Sequence, residues 1–466
     1  MGFKQDLIDF FTNKRVLILG FGREGRSTYH FLIQNVSCKE IAVADQNDPR
    51  QKEDDANLLT GCACFFGEQY LDSLYGNWDI IMKTPGIALL HFSNQEIRNK
   101  ITCQTDLFLR FCPNPTIGVT GTKGKSTTSS LIYHILHENG KDVKLNGNIG
   151  TPVFSDIDKI EPNTIIVSEM SCHQLEYTSS SPRIAVLVNL YPDHLDHYDS
   201  YEAYKQAKYH IFLYQKPEDT LFISNTCPDI DMEIVQNLPQ KKIYIGHSMK
   251  EQNFCAVSDS MLQLPKTVCA NTVTEQEEIP LERMKTTLPG QHNLWNIAVA
   301  VTISKMFGIS TEDAICAVQT FRGLEHRMEY VGTFCGVRYY NDSISTIPQS
   351  TVLNAQTLPD LKTMIIGGMD RGIDYTPLIQ FLTQTKIENI IFAYESGKRI
   401  YEEVIQSPHT SQIYYVEDLQ QAVRLAKQIT ADGSCLFSPA AASYGYFKNF
   451  EERGKYFKQL VQNSIE

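Results

Sequence analysis

The sequence predicts an α/β protein of three domains, each built on a mostly parallel sheet. Three observations carry that expectation. Short apolar runs of strand length alternate with helical patterns through most of the chain. Two of these runs lead directly into glycine-rich turns that open a helix. The length of 466 residues gives room for about three domains at roughly 150 residues each.

The first domain is expected over residues 1–112. Residues 15–19 (RVLIL) form a strand-like run that enters Gly20-Phe21-Gly22-Arg23-Glu24-Gly25, a GxGxxG turn before a helical pattern with Phe31 and Leu32. A second strand, residues 41–44, ends in Asp45. This is the arrangement that seats a nucleotide diphosphate on Gly22, Arg23 and Glu24, with Asp45 on a ribose hydroxyl. A dinucleotide, another nucleotide and simple strand–helix packing all stay open, because the motif constrains backbone approach rather than ligand identity. A further strand, residues 79–82, meets Lys83-Thr84-Pro85-Gly86, a turn whose glycine lets a ligand come close. Pro113-Asn114-Pro115 reads as a linker, with a hinge expected near Cys112.

The second domain, residues 113–321, opens with the most informative stretch. Thr116-Ile117 ends a buried strand. Gly121-Thr122-Lys123-Gly124-Lys125-Ser126-Thr127 follows, and Leu131, Ile132, Ile135 and Leu136 then repeat at helical spacing. Such a loop aims backbone N–H groups and a helix N-terminus at a phosphate. Lys125 would reach the terminal phosphates of ATP, and Ser126 would offer its hydroxyl to Mg²⁺. The match to GxxxxGK[ST] is imperfect, since Val119 holds the first glycine position and Gly118 sits one residue early. Residues 165–167 form a buried strand ending in Ser168-Glu169, and a carboxylate there suits Mg²⁺, which takes hard oxygen ligands. Asp193-His194-Leu195-Asp196-His197 places two aspartates and two histidines in five positions after a strand. A helical run, residues 201–212, carries Lys208. Residues 288–293 start another helix, where polar side chains contact a base or cap the helix.

The third domain, residues 322–466, again alternates strands (364–366, 389–392, 435–437) with helices, one of them carrying Leu419, Ala422, Val423 and Ala426. Tyr340-Asn341-Asp342 is a strand end bearing a carboxylate, and 438–443 open a last helix with Phe447 and Phe450. A second hinge is expected near Phe321.

Composition narrows the class. Hydrophobic residues make up 42% and charged residues 21%, which is a globular balance with ample core. The net charge of −12 argues against general nucleic-acid binding. No apolar run approaches ~20 residues and no leader pattern opens the chain, so no membrane segment is expected. Twelve scattered cysteines without a CxxC pair fit a reducing cytoplasm.

Six motifs occur in one order: GTKGKST, SEMSCHQLE, NLYPDHLDHY, LPGQHNLWN, GLEHRME and SPAAASYGYFKNFEERG. That order resembles the Mur ligase family, ATP-dependent amide-bond ligases of peptidoglycan precursor synthesis, over essentially the whole chain. The closing FKNFEERG and the short first domain are similar to the branch that adds glutamate to UDP-N-acetylmuramoyl-L-alanine. The resemblance implies a Rossmann-like UDP-binding first domain, a central P-loop ATPase domain and a Rossmann-like C-terminal domain. It implies an acyl-phosphate intermediate, and two Mg²⁺ ions held by Ser126, Glu169, His194 and a carbamylated Lys208. Lys125, His194 and Lys208 would be the catalytic residues. Asn148 and Gly86 would lie near the UDP-sugar. Asn293 and Asn296 would touch adenine or phosphate, and Arg327 and Asp342 the ATP from the third domain, Asp342 at the ribose. Arg371 stands where the family has a lysine for the incoming amino acid's carboxylate; Thr346, Ser443, Tyr444 and Phe450 fall in the same pocket. The implied partners are small molecules alone (UDP-N-acetylmuramoyl-L-alanine, glutamate and ATP), acted on by a monomer.

The chain departs from the family around that pocket. Ile344 and Ile347 replace a lysine and an asparagine, Tyr444 a small aliphatic and Gly445 an acid. D- and L-glutamate therefore both stay open. Folylpolyglutamate synthases share the phosphate-loop logic but lack the first nucleotide unit. A nicotinamide dehydrogenase built on Gly20 to Gly25 would leave the phosphate loop unexplained.

Overall fold

A computed structural model describes residues 2–463 except 52–58, 60, 195–196, 247–252, 259, 268–274, 285, 287, 289 and 291. The chain forms two compact units, Met1–Met284 with Leu294–Val318, and Lys285–Asn293 with Gln319–Glu466.

The first unit holds two sheets. Strands β1 (Arg15–Leu19), β2 (Glu40–Asp45), β3 (Ala63–Phe66), β4 (Ile80–Lys83) and β5 (Ile101–Thr102) are all parallel, in the order β3-β2-β1-β4-β5. The order reverses between β1 and β4, which opens a crevice at their carboxyl ends. The second sheet takes β6 (Thr116–Thr120), β7 (Val143–Gly147), β8 (Ile165–Glu169), β9 (Ile184–Leu187), β10 (Thr220–Ser224), β11 (Lys241–Ile245), β12 (Asn253–Val257), β13 (Met261–Pro265) and β14 (Gln276–Pro280). Its order is β14-β13-β12-β11-β10-β9-β6-β8-β7. The last two strands pair antiparallel and the rest parallel. The phosphate-loop strand β6 lies between β9 and β8, buried along its whole length.

The break expected at Cys112 falls inside this unit. One apolar cluster joins Phe3, Phe11, Phe31 and Phe108 beside the first sheet to Ile166 of the second sheet and to Phe154 and Ile157 of the short helix Val153–Lys159. The Phe31 and Phe154 rings are 5.1 Å apart. Each such side chain contributes about 1.5–3 kcal/mol when fully buried. The proline-rich composition of 113–115 says nothing of that seam.

The second unit is built on β15 (Glu329–Phe334), β16 (Val337–Asn341), β17 (Leu361–Ile366), β18 (Asn389–Ala393), β19 (Gln412–Val416) and β20 (Ser434–Phe437). The order is β15-β16-β20-β17-β18-β19, with only the β15–β16 hairpin antiparallel. Successive strand residues face opposite ways, as the pleat requires. Met364 and Ile366 enter one apolar cluster and Ile365 the other. Helices therefore cover both faces, and the strands read as continuous apolar runs. Leu419, Ala422, Val423 and Ala426 form the buried stripe of the helix Leu419–Ile429.

Candidate active site

The first glycine turn is held tight by sterics. Gly20 has φ +94°, and a Cβ there would lie 2.0 Å from the Thr84 hydroxyl oxygen. A Cβ on Gly25 would lie 2.1 Å from the Gly20 carbonyl. A side chain on Gly25 would push the helix Arg23–Asn35 off β1, and one on Gly20 would run into Thr84. The turn borders a cavity of about 420 Å³. Gly22, Arg23, Glu24, Asp45, Gly86 and Asn148, all six residues expected at the UDP-sugar, line it together. Asp45 braces the turn: its carboxylate accepts from the Phe21 N–H at 2.6 Å and the Asn47 N–H at 2.9 Å. Arg23 donates to the Gly150 carbonyl at 2.5 Å. Burial pushes the Glu24 carboxyl up, against the pull of the 2.7 Å bond from Gln174 and the charge of Lys83.

The phosphate loop follows β6. Gly124, at φ +82°, turns the chain into the helix Lys125–Glu138. Asn189, just past β9, props the loop by accepting from the Thr122 and Lys123 N–H groups at 3.0 and 2.9 Å and donating to the Lys123 carbonyl at 3.0 Å. The Thr122 hydroxyl meets the Tyr204 hydroxyl at 2.9 Å. Asn296, expected at adenine or phosphate, accepts from the Thr128 hydroxyl at 3.0 Å and so braces the first turn of the loop helix. Lys125 folds back on its own loop, donating to the Gly121 and Thr122 carbonyls at 3.0 and 3.1 Å. Lys208 donates to the same Gly121 carbonyl at 2.8 Å from a buried position on the helix Tyr201–Leu213. Burial first, then the charge of Lys125, pushes its ammonium down to about 7 against nearby acids. Ser126 is buried at the helix start, Thr127 is half-buried and Lys123 is exposed, with its ammonium 3.9 Å from Asp193.

Glu169 ends β8, fully buried. One carboxylate oxygen accepts from the Asn148 amide at 2.6 Å; the other is buried without a hydrogen-bond partner. An orphaned anionic oxygen beside a phosphate loop fits a Mg²⁺ ligand. Among the described residues no three His, Cys, Asp or Glu form a complete metal cage. Mg²⁺ is usually held by one or two side chains together with phosphates and waters.

His194 carries φ +53°, uncommon for a residue with a Cβ. Its ring lies 4.8 Å from His173, which lies 4.1 Å from His197. Burial, with His197 and His194 alongside, pushes His173 down to about 3. Glu176 sits between His197, at 3.6 Å, and the buried Lys83, at 3.1 Å. Burial would raise its carboxyl, but His197 and Lys83 outweigh that and hold it low. Leu195 and Asp196 of the polar cluster lie outside the described residues.

In the second unit Asp342 is fully buried. It accepts from the Met328 N–H at 3.3 Å, the Asn354 amide at 2.8 Å and the Ser438 hydroxyl at 2.7 Å. Asp342, the residue expected at a ribose, has both oxygens in internal hydrogen bonds here. Burial raises its pKa against those hydrogen bonds. Arg371 is exposed and donates to the Thr346 carbonyl at 3.1 Å, so two of the expected pocket residues meet. Ser443 is buried, Phe450 half-buried, and Tyr444 is 61% exposed. Arg327 is exposed, and Asn293 is buried in the segment that belongs to this unit.

Asn189, Tyr204, Lys83 and Glu176 were not singled out from the sequence. Asn189 and Glu176 lie within two of the six motifs, Lys83 opens the turn before Gly86, and Tyr204 lies one turn before Lys208, but nothing local marks a side chain that bonds a loop tens of residues away.

The Mur ligase middle domain family matches residues 119–304. The chain is 32% identical to the UDP-N-acetylmuramoylalanine–D-glutamate ligase of Acetivibrio thermocellus, covering 97% of each chain. It is 31% identical to that of Clostridium novyi, covering 98% of each. Among solved structures, a UDP-N-acetylmuramate–alanine ligase from Thermotoga maritima aligns at TM-score 0.53 and 18% identity, covering 96% of this chain and 99% of that one. A MurF structure from Acinetobacter baumannii aligns at TM-score 0.58 and 14% identity, covering 97% and 92%. The structural likenesses speak to the fold.

Proposed function

The chain belongs to the family of UDP-N-acetylmuramoylalanine–D-glutamate ligases, and from that premise we infer that it joins glutamate to UDP-N-acetylmuramoyl-L-alanine with ATP, in peptidoglycan precursor synthesis. One observation carries the reading beyond membership: the nucleotide-sized cavity and the phosphate loop are linked through Asn148, which lines the first and bonds Glu169 beside the second.

The chemistry balances in two steps. An oxygen of the acceptor's alanyl carboxylate attacks the γ-phosphorus, the bond to the β–γ bridging oxygen breaks, and ADP leaves. The glutamate amine then attacks the acyl-phosphate carbon, loses a proton, and expels inorganic phosphate. Phosphoryl transfer needs position and neutralised charge more than covalent help. The loop amides and Lys125 supply position, once Lys125 exchanges its two loop carbonyls for phosphate oxygens. Mg²⁺, when bound, neutralises phosphate charge; Ser126 and Glu169 would hold one ion, and His194 with Lys208 a second. A lysine ammonium repels a metal, whereas its carbamate is an oxygen-bearing anion. The buried Lys208, pushed down to about 7, supplies the neutral amine that adds to CO₂ with loss of a proton. The cavity would take the UDP-sugar, and Arg371 with Thr346, Ser443, Tyr444 and Phe450 the amino acid.

D-glutamate is the reading that the relatives' names support. The isoleucines at 344 and 347 and the exposed Tyr444 favour L-glutamate as a second reading. We place the enzyme in the cytoplasm as a monomer. The described cysteines are all free thiols, and among the described residues no helix is long and apolar enough to cross a membrane.

ADP release with both glutamate enantiomers tests the reading. ADP formed with D-glutamate supports it, a preference for L selects the second reading, and no ADP with either overturns the ligase. Lys125→Ala is expected to lower turnover by at least about 10³-fold, since phosphate-clamping charges contribute on that scale.

A further inference from the structure

Among the described residues the bulkiest fully buried side chain is a cation, Arg453. It stands in the first turn of the helix Phe450–Gln462. That is the helix end where a positive charge is disfavoured. Taking a guanidinium out of water adds a desolvation penalty of several kcal/mol. Burial pushes it down to about 10, with Asp342 among the charges opposing that shift. Packing alone would be met better by an apolar side chain, so the hydrogen bonds must account for it.

Four of its five N–H donors are engaged. Nε donates to the Ser343 hydroxyl at 3.0 Å and Nη2 to the Ser343 carbonyl at 2.7 Å. Nη1 donates to the Ala441 and Ala442 carbonyls, both at 3.0 Å. Ser343 in turn donates to the Phe450 carbonyl at 2.9 Å. The loops after β16 and β20, neighbours in the sheet, are thereby tied to each other and to the last helix. The loop after β17 is pressed onto the same group, since a Cβ on Gly368 would lie 2.8 Å from Nη1. Thr346 follows Ser343 by three residues, Ser443 follows Ala442 directly, and Arg371 on the β17 loop bonds the Thr346 carbonyl. A planar five-donor fork holds such a set at fixed spacing, which a lysine cannot do.

We propose that Arg453 is the positioning residue of the amino-acid pocket: by clamping Ser343 to Ala441 and Ala442 it sets the spacing between the Thr346–Arg371 wall and the Ser443–Phe450 wall, and with it the glutamate enantiomer the pocket accepts. The inference rests on the assignment of that pocket to glutamate.

The test uses the full chain with Arg453→Lys and, as a milder lesion, Ser343→Ala. A displacement near 1 Å costs up to about 10²-fold in rate, so Arg453→Lys is expected to raise the KM for glutamate about tenfold or more and to lower the ratio of kcat/KM between the enantiomers at least about fivefold. The KM values for ATP and for the UDP-linked acceptor stay within about twofold. Ser343→Ala moves the same quantities in the same direction by less, and reports if Arg453→Lys does not fold. The enantiomer ratio is independent of how much enzyme is folded. An unchanged ratio with a uniform loss of kcat makes Arg453 a stability residue and overturns the proposal. Arg371→Ala separates the two ideas. If it raises the KM for glutamate while the Arg453 and Ser343 variants leave the ratio alone, only the positioning role falls. If it leaves that KM unchanged, the pocket assignment falls and the proposal with it.

Discussion

Asn148 donates its side-chain amide to Glu169 at 2.6 Å, so a residue lining the cavity of about 420 Å³ holds the carboxylate beside the phosphate loop. The other Glu169 oxygen is left without a hydrogen-bond partner. Removing the amide would strip a buried carboxylate of its donor and let it turn. Partners that orient metal ligands are typically worth about 10–100-fold in affinity or activity. Asn148→Ala is therefore expected to raise both the Mg²⁺ concentration needed for half-maximal rate and the KM for the UDP-linked acceptor. Rates measured against Mg²⁺ at saturating acceptor check it; an unchanged Mg²⁺ dependence would show that the bond has no part in metal binding.

A steric prediction concerns Gly25. A methyl group there would meet the Gly20 carbonyl at 2.1 Å, and backbone cannot yield as a flexible side chain does. Overpacking of this kind typically costs about 1–3 kcal/mol. Gly25→Ala should lower the melting temperature and weaken the acceptor's KM, because the turn that borders the cavity is carried outward with the helix. The KM for ATP, whose loop starts at β6, should hold. Equal losses in both would mean that the two sites are not separable.

What could be read from the sequence was local. Gly20, Gly22, Asp45 and Gly86 sit at strand ends whose chemistry follows from backbone sterics, and they converge on one cavity. The alternating apolar runs gave the layers for the same reason. What could not be read depends on contacts between distant segments. Asn189 supports a loop 66 residues away, and Arg453 clamps Ser343 across 110. Asp342 was visible as a carboxylate at a strand end. That Asn354 and Ser438 would close over it was not. Nor does the Pro113-Asn114-Pro115 composition reveal that Phe31 meets Phe154 across the seam.

Lys208 yields a spectroscopic prediction. Its amine is buried 2.8 Å from the Gly121 carbonyl and pushed down to about 7 by burial. Addition to CO₂ requires the neutral amine, whose share grows as pH rises through that value. Enzyme equilibrated with ¹³C-labelled bicarbonate should show a carbamate carbon resonance that strengthens from pH 6 to pH 8, roughly one unit either side of that value, and is missing in Lys208→Gln. Turnover of the variant should fall by at least about 10²-fold, on the scale of a lost metal-site charge. A wild-type spectrum without that resonance would leave Lys208 as an amine.

The second unit should lose stability in mild acid through His326. Its ring is buried, accepts at Nδ1 from the Asn341 amide at 3.0 Å, and lies 6.1 Å from the Phe450 ring. A Cβ on Gly454 would stand 2.2 Å from Nδ1, so the site has no room for water on that side. Burial lowers its pKa below the usual 6.5; Glu325, Glu329 and Glu451 pull it up and Lys458 pushes it down. A group with a depressed folded pKa binds its proton more readily in the unfolded chain. Between 6.5 and the lower folded value the unfolded state therefore gains protons first, and stability falls as pH falls, by at most about 1.4 kcal/mol per pH unit for one group. His326→Asn removes that term, while Asn341 keeps its bonds to Glu329 at 2.9 Å and the Gly454 carbonyl at 3.3 Å. Melting curves at pH 7 and pH 5 should then converge in the variant relative to wild type. If the acid-induced drop is equally steep in both, another group governs it.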